Sequence, residues 1–169
     1  MSTHLTHAAT SRPSYNTTFH APVTPEQALA AAAEPRAWWV AMIEGSAEGV
    51  GDRFVVDVPG LHHAELVVTA AEPGRLLAWT VERSDHAHEI EDWVGTVISF
   101  AITPADGGSE ITVTHHGLHP GLECHEVCST AWDHHLDVGL RALLTGGVAA
   151  PITPESVDAV ADRVGATRG

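Results

Sequence analysis

The chain has 169 residues, 44% of them hydrophobic, and sets eight arginines and no lysine against 22 acids, for a formal charge of −14. That length suits one domain, and the charge leaves no means of building the broad basic face that nucleic acid or an anionic membrane would require. No apolar run approaches the ~20 residues of a bilayer span, and two cysteines cannot form a disulfide framework.

The opening MSTHLTHAATSRPS is polar and lacks the apolar core of a signal peptide, so residues 1–14 are expected to be disordered and the protein soluble and cytoplasmic. Tyr15–Ala21 reads as a first strand. Thr24 then sits as N-cap before Pro25 and completes a capping box with Gln27. Pro35 ends that helix and opens a second, short one through Trp38 and Trp39. Gly45, Gly49 and Gly51 mark turns around a short strand. Alternation follows in Arg53–Pro59, where Phe54, Val56 and Val58 share a face, and in Ala64–Glu72, where Ala64, Leu66 and Val68 do. Arg75–Arg83 continues the pattern, 84–91 reads as a polar loop, and Trp93–Thr103 and Glu110–His116 complete a meander. Strands joined by turns, without helical crossovers, predict an antiparallel sheet.

A long helix is predicted from Leu122 to the Gly146-Gly147 stop. At 100° per residue, Cys128, Ala131, Trp132, His135, Gly139, Ala142 and Leu143 fall within about 100° of Cys124, opposite Glu126, Thr130, Asp133, Asp137 and Arg141. Such a helix spans about 33 Å and lies on something apolar along its whole length. In the tail, 147–169, Thr153 and Pro154 start a further short helix with Val157, Val160 and Val164 on one side.

The segments FHAPVTPEQALAAAAEPRAWW, EPGRLLAWTVE and WVGTVISFAITPADGGSEITVTHHGL, followed by a tryptophan-bearing helix, come in a telling order. Over about residues 15–146 the chain resembles the helix-grip fold of the START/Bet v-like (SRPBCC) superfamily. Within it, the chain is most similar to the small proteins named after the activator of the heat-shock ATPase. The resemblance implies an α+β domain in which a curved antiparallel sheet wraps a long C-terminal helix, with two short helices after the first strand. It also implies a cavity between sheet and helix, since relatives bind lipids, hormones or polyketides and some are cyclases or dehydratases. The namesake co-chaperone has a separate N-terminal domain, which fourteen residues are too few to supply.

Three constellations stand out. The inward helix face offers Cys124, Cys128, Trp132 and His135, joined by His115 if Ile111, Val113 and His115 share a face of their strand. It reads either as a pocket wall with a histidine able to orient or protonate a ligand, or as ordinary core. A zinc site from Cys124, Cys128 and His135 is an alternative, although no Cys-x-x-Cys or His-x-x-x-His spacing supports it. Trp38 and Trp39 either gate the cavity or cap the core, and parity does not decide whether Trp79 or Trp93 faces inward. His62, His63, His86 and His88 fall in or near loops and read as solvated.

The expected function is binding of a small, largely apolar molecule, lined by Trp38, Trp39, Phe100, His115, Cys124, Cys128, Trp132 and His135, with no cofactor. Two alternatives stay open. One is a cyclase- or dehydratase-type enzyme using His135 or His115. The other is a co-chaperone-like interaction protein or homodimer.

Overall fold

The computed structural model describes residues 14–58, 62–86, 93–118 and 125–164. Seven strands form one antiparallel sheet: β1 (Tyr15–Ala21), β2 (Glu44–Gly45), β3 (Arg53–Val58), β4 (His62–Glu72), β5 (Leu76–His86), β6 (Val97–Ala105) and β7 (Gly108–His116). Their spatial order is β1-β7-β6-β5-β4-β3-β2, so the first strand closes on the last. Between β1 and β2 lie α1 (Pro25–Ala32) and α2 (Pro35–Trp38). After β7 come α3 (His125–His135), a π-helical segment (Leu136–Arg141), α4 (Ala142–Leu144) and finally α5 (Val157–Val164). This is the helix-grip arrangement, with a curved sheet against a long C-terminal helix.

Alternation explains which face grips the helix. Phe54, Val56 and Val58 of β3, Ala64, Leu66 and Val68 of β4, and Leu77, Trp79 and Val81 of β5 are all buried, as are Ile98, Phe100 and Ile102 of β6 and Ile111, Val113 and His115 of β7. Register slips between β4 and β5 at Glu65/Leu66 and Val68/Ala70 add twist and bend the sheet. The predicted capping box forms: the Thr24 hydroxyl accepts from the Gln27 amide at 3.1 Å, and the Gln27 side chain accepts from the Thr24 amide at 2.9 Å.

Three expectations need correction. Residues 84–86 are not loop, because β5 runs on to His86 by pairing with His62 of β4. Trp93 does not open a strand. Residues 93–96 form a turn closed by the Thr96 amide on the Trp93 carbonyl at 2.9 Å, with Gly95 at φ 84°, a left-handed backbone that favours glycine. The third correction concerns the helix, which is not uniformly α.

Its six-residue π segment winds with i→i+5 bonds and turns fewer degrees per residue, which re-phases everything beyond it. Leu136, Leu140 and Leu144 therefore point inward, whereas Leu143, placed on the inner stripe by 100° spacing, is exposed. Gly139 sits at the tightest approach, where a β-carbon would collide with the Trp38 carbonyl oxygen of α2. The following chain straps this contact: Ala150 donates to the Val138 carbonyl at 2.8 Å and Ile152 donates to the Trp39 carbonyl at 2.9 Å. Val157 and Val160 of α5 are buried. The predicted disorder of residues 1–14 lies, except for Ser14, outside the described residues.

Candidate functional site

Under the long helix, five tryptophans from four separate elements meet. Trp39 is the hub. Its ring stacks on Trp38 at 6.2 Å, on Trp79 at 6.1 Å and on Trp93 at 6.4 Å, and tilts against Trp132 at 5.1 Å between centroids. Trp93 stacks in turn on Trp132 at 6.0 Å, and Phe100 sets its edge against Trp38 and Trp79. Such offset and edge contacts are each worth about 0.5–1.5 kcal/mol beyond area burial. The short helices, the sheet and α3 are thus joined through one aromatic body.

His115 is threaded into this body by a directional hydrogen-bond chain. The Trp132 indole N–H, which can only donate, reaches His115 Nδ1 at 3.0 Å. The Thr96 hydroxyl donates its one proton to the Trp93 carbonyl at 2.5 Å, so at 2.8 Å from His115 Nε2 it must accept. The network therefore assigns His115 as the neutral tautomer with its proton on Nε2. A second proton on Nδ1 would face the indole N–H. Both ring nitrogens are committed, so His115 organises the site and is poorly placed to shuttle protons.

His135 differs. It is the last α-helical residue before the π segment, packed against Trp39 and Trp132 with ring centroids at 6.4 Å from each, and it makes no hydrogen bond with any described residue. Burial, helped by neighbouring His134, pushes its pKa down to about 3, so it is a neutral imidazole at ordinary pH. A buried unsatisfied polar group lies nearby: the Trp79 indole N–H has no partner among the described residues. Buried donors left unpaired cost about 1–3 kcal/mol, and the rarity of such groups in native proteins gives each one interest.

Of the residues expected to line a site, the structure brings Trp38, Trp39, Phe100, His115, Cys128, Trp132 and His135 together. Cys124 lies outside the described residues. Cys128 is a buried free thiol that accepts from the Trp93 indole at 3.3 Å. Among the described residues no group of three or more His, Cys, Asp or Glu side chains could hold a metal ion; the zinc alternative of Cys124, Cys128 and His135 includes Cys124, which lies outside them. Trp38 and Trp39 are buried in the stack. His62, read as solvated, is half-buried and presents its edge to Trp93 at 4.5 Å. Sequence reasoning missed Thr96 altogether. Its only signal was the Trp-x-Gly-Thr turn, in which residue four folds back on residue one.

Two concavities can be placed among the described residues. One is a groove of about 540 Å3 between the β2–β3 edge and the start of α5, and the other is a pocket of about 190 Å3 beside α2. The groove includes no member of the aromatic cluster, and the α2 pocket touches it only through Phe54, which packs on Trp79 at 4.9 Å.

Residues 25–145 match the model of the family described as Activator of Hsp90 ATPase homolog 1-like protein. The chain belongs to that family. No curated protein matches it significantly. Solved structures do, among them the Aha1 dimer of Colwellia psychrerythraea, at 23% identity and TM-score 0.66, covering 80% of this chain and 98% of that one. A Mesorhizobium loti protein matches at 19% identity and TM-score 0.60, covering 74% of this chain and 92% of its own. A protein of the dynemicin biosynthetic locus matches at 17% identity and TM-score 0.58, over 80% of this chain and 48% of its own. Likenesses this distant show a shared fold. Among the described residues no helix of this family member is long and apolar enough to cross a membrane.

Proposed function

We propose that this family member binds a small, largely apolar molecule carrying one hydrogen-bonding group, held against the tryptophan cluster with His135 as its polar anchor. The observation that carries the reading is His135 itself: a neutral, buried imidazole, unpartnered among the described residues, where the helix changes from α to π winding. π segments of this kind recur at functional sites. Trp38, Trp79, Phe100 and His115 are 0% exposed, while Trp39, Trp93, Cys128 and His135 keep 3%, 4%, 5% and 8%, so a guest arriving from solvent meets those four first.

Binding is favoured over acid–base turnover for a stated reason. A general acid or base works best with a pKa near the operating pH. His135 at about 3 is far below it, and His115 has both nitrogens engaged. A neutral imidazole still donates or accepts one good hydrogen bond in a dry site, which suits recognition.

Native mass spectrometry of the protein as purified is expected to show a retained small molecule, or an empty protein whose tryptophan fluorescence 2-naphthol quenches saturably at one site. His135→Phe should weaken naphthol by about two- to tenfold, the worth of one hydrogen bond. Neither retained mass nor saturable quenching would end the proposal, and unchanged affinity in His135→Phe would remove His135 as the anchor.

A further inference from the structure

The groove at the β2–β3 edge shares no residue with the aromatic cluster and has a different chemistry. Its apolar surface comes from Met42, Val55, Pro154 and Val157. Its polar surface comes from three carboxylates, Glu44, Asp57 and Asp158, together with His63. Among the described residues no arginine lines it. Arg53 pairs with Glu82, Arg75 with Glu72, Arg83 with Glu65 and Arg141 with Asp137, and Arg36 spends its guanidinium on the Ile43 and Gly45 carbonyls. Asp57 gives one oxygen to His63 at 3.2 Å, and its other oxygen, like Glu44, has no partner among the described residues.

We propose that this groove binds an organic cation with an apolar body, its positive charge against Glu44 and Asp57 and its hydrocarbon over Met42, Val55 and Val157. The volume, about 540 Å3, falls within the range of small-molecule clefts. Charge complementarity selects the sign of the guest, because an anion would face Glu44 and Asp57 on a chain of charge −14. Exposed ion pairs are individually weak, so a bare cation gains little here. The apolar floor adds stabilisation in proportion to the hydrocarbon it covers, which is why the guest needs both parts.

Met42 offers a direct reporter, since the chain has two methionines, Met1 and Met42, whose methyl signals are told apart by substitution, and Met42 lines the groove. The protein labelled with 13C at the methionine methyls is titrated with decyltrimethylammonium, and separately with decyl sulfate and decyl maltoside, each below its micelle concentration. Decyltrimethylammonium should move the Met42 signal saturably while the other two leave it in place. Glu44→Gln and Asp57→Asn should each weaken binding about two- to fivefold, the worth of one exposed ion pair. Glu126→Gln, which removes the same charge from the exposed face of α3, should change nothing. The proposal is overturned if Met42 does not move, if the sulfate or the maltoside moves it equally, or if Glu44→Gln binds as tightly as the unmodified chain. Because tryptophan fluorescence reports the aromatic cluster and the Met42 methyl reports the groove, either site can fail without the other.

Discussion

Replacing Gly139 by alanine sets two effects of opposite sign against each other. Intrinsic propensity favours alanine over glycine inside a helix by about 0.8–1 kcal/mol, so on local grounds the substitution should stabilise. Packing says the reverse. A β-carbon at Gly139 would lie inside contact distance of the Trp38 carbonyl oxygen, with the Trp38 carbonyl carbon at 3.1 Å and its β-carbon at 3.3 Å. The obstacle is backbone of α2, held in place by the Trp39 hydrogen bond to Ile152 at 2.9 Å and by the tryptophan stack, so it cannot swing aside as a flexible side chain would. Overpacking of this kind costs about 1–3 kcal/mol. A rigid backbone obstacle puts the cost at the upper end of that range, so the net expectation is a loss of about 2 kcal/mol, or about 4–8 °C in Tm for a domain of this size. Urea unfolding followed by far-UV circular dichroism gives the free energy, and tryptophan fluorescence shows whether the Trp38–Trp39 stack has been displaced. A Gly139→Ala protein as stable as its parent, with an unaltered emission spectrum, would refute the reasoning, because helix propensity alone would then govern the position.

Three further outcomes are expected. Thr96→Val removes the acceptor of the His115 Nε2 proton at 2.8 Å with little change in shape, and should cost about 1–3 kcal/mol in urea unfolding; a cost near zero would show that the hydrogen-bond chain is not intact. His135, with a folded pKa of about 3 against an ordinary histidine value of about 6.5, takes up its proton more readily unfolded than folded between those limits. It therefore removes stability as pH falls from about 6.5 towards 3, at up to about 1.4 kcal/mol per pH unit, and His135→Phe should flatten that slope; an unchanged slope would show that other groups set it. His63 carries the opposite sign: its hydrogen bond to the Glu65 carboxylate, opposed by partial burial and assisted by Asp57, holds its pKa above the ordinary value. Its contribution is present below the unfolded value and fades as pH rises through the folded one, so His63→Gln should destabilise more near pH ~6 than near pH ~9. Equal effects at both values would contradict the Asp57–His63–Glu65 arrangement.

Much of the fold was legible because short-range chemistry specifies it. The Thr24–Gln27 capping box, the turn glycines and the two-residue alternation of β3, β4 and β7 act over a few residues, and the structure realises each of them. The gathering of Trp132, His135 and Cys128 with His115 also followed from periodicity, since a helix stripe and strand parity both survive folding. What failed did so at points where distant parts of the chain compete with local preference. Residues 84–86 are polar and read as loop, yet pairing with β4 holds them extended. Trp93 looks like a strand residue, yet its ring is drawn into the stack with Trp39 and Trp132 while its backbone turns.

The amino-acid sequence by itself determined the element order, the inward faces of the sheet and the early part of the helix stripe, because those depend on 2.0- and 3.6-residue periods and on local caps. Only the tertiary structure decided that the helix switches to π winding after His135, that Leu144 and not Leu143 enters the core, and that His115 is locked while His135 is left neutral and unpaired among the described residues. The physical reason is contact. The close approach of Gly139 to Trp38 and the strap through Ala150 and Ile152 connect segments about a hundred residues apart in the case of Gly139 and Trp38, and no local rule registers them.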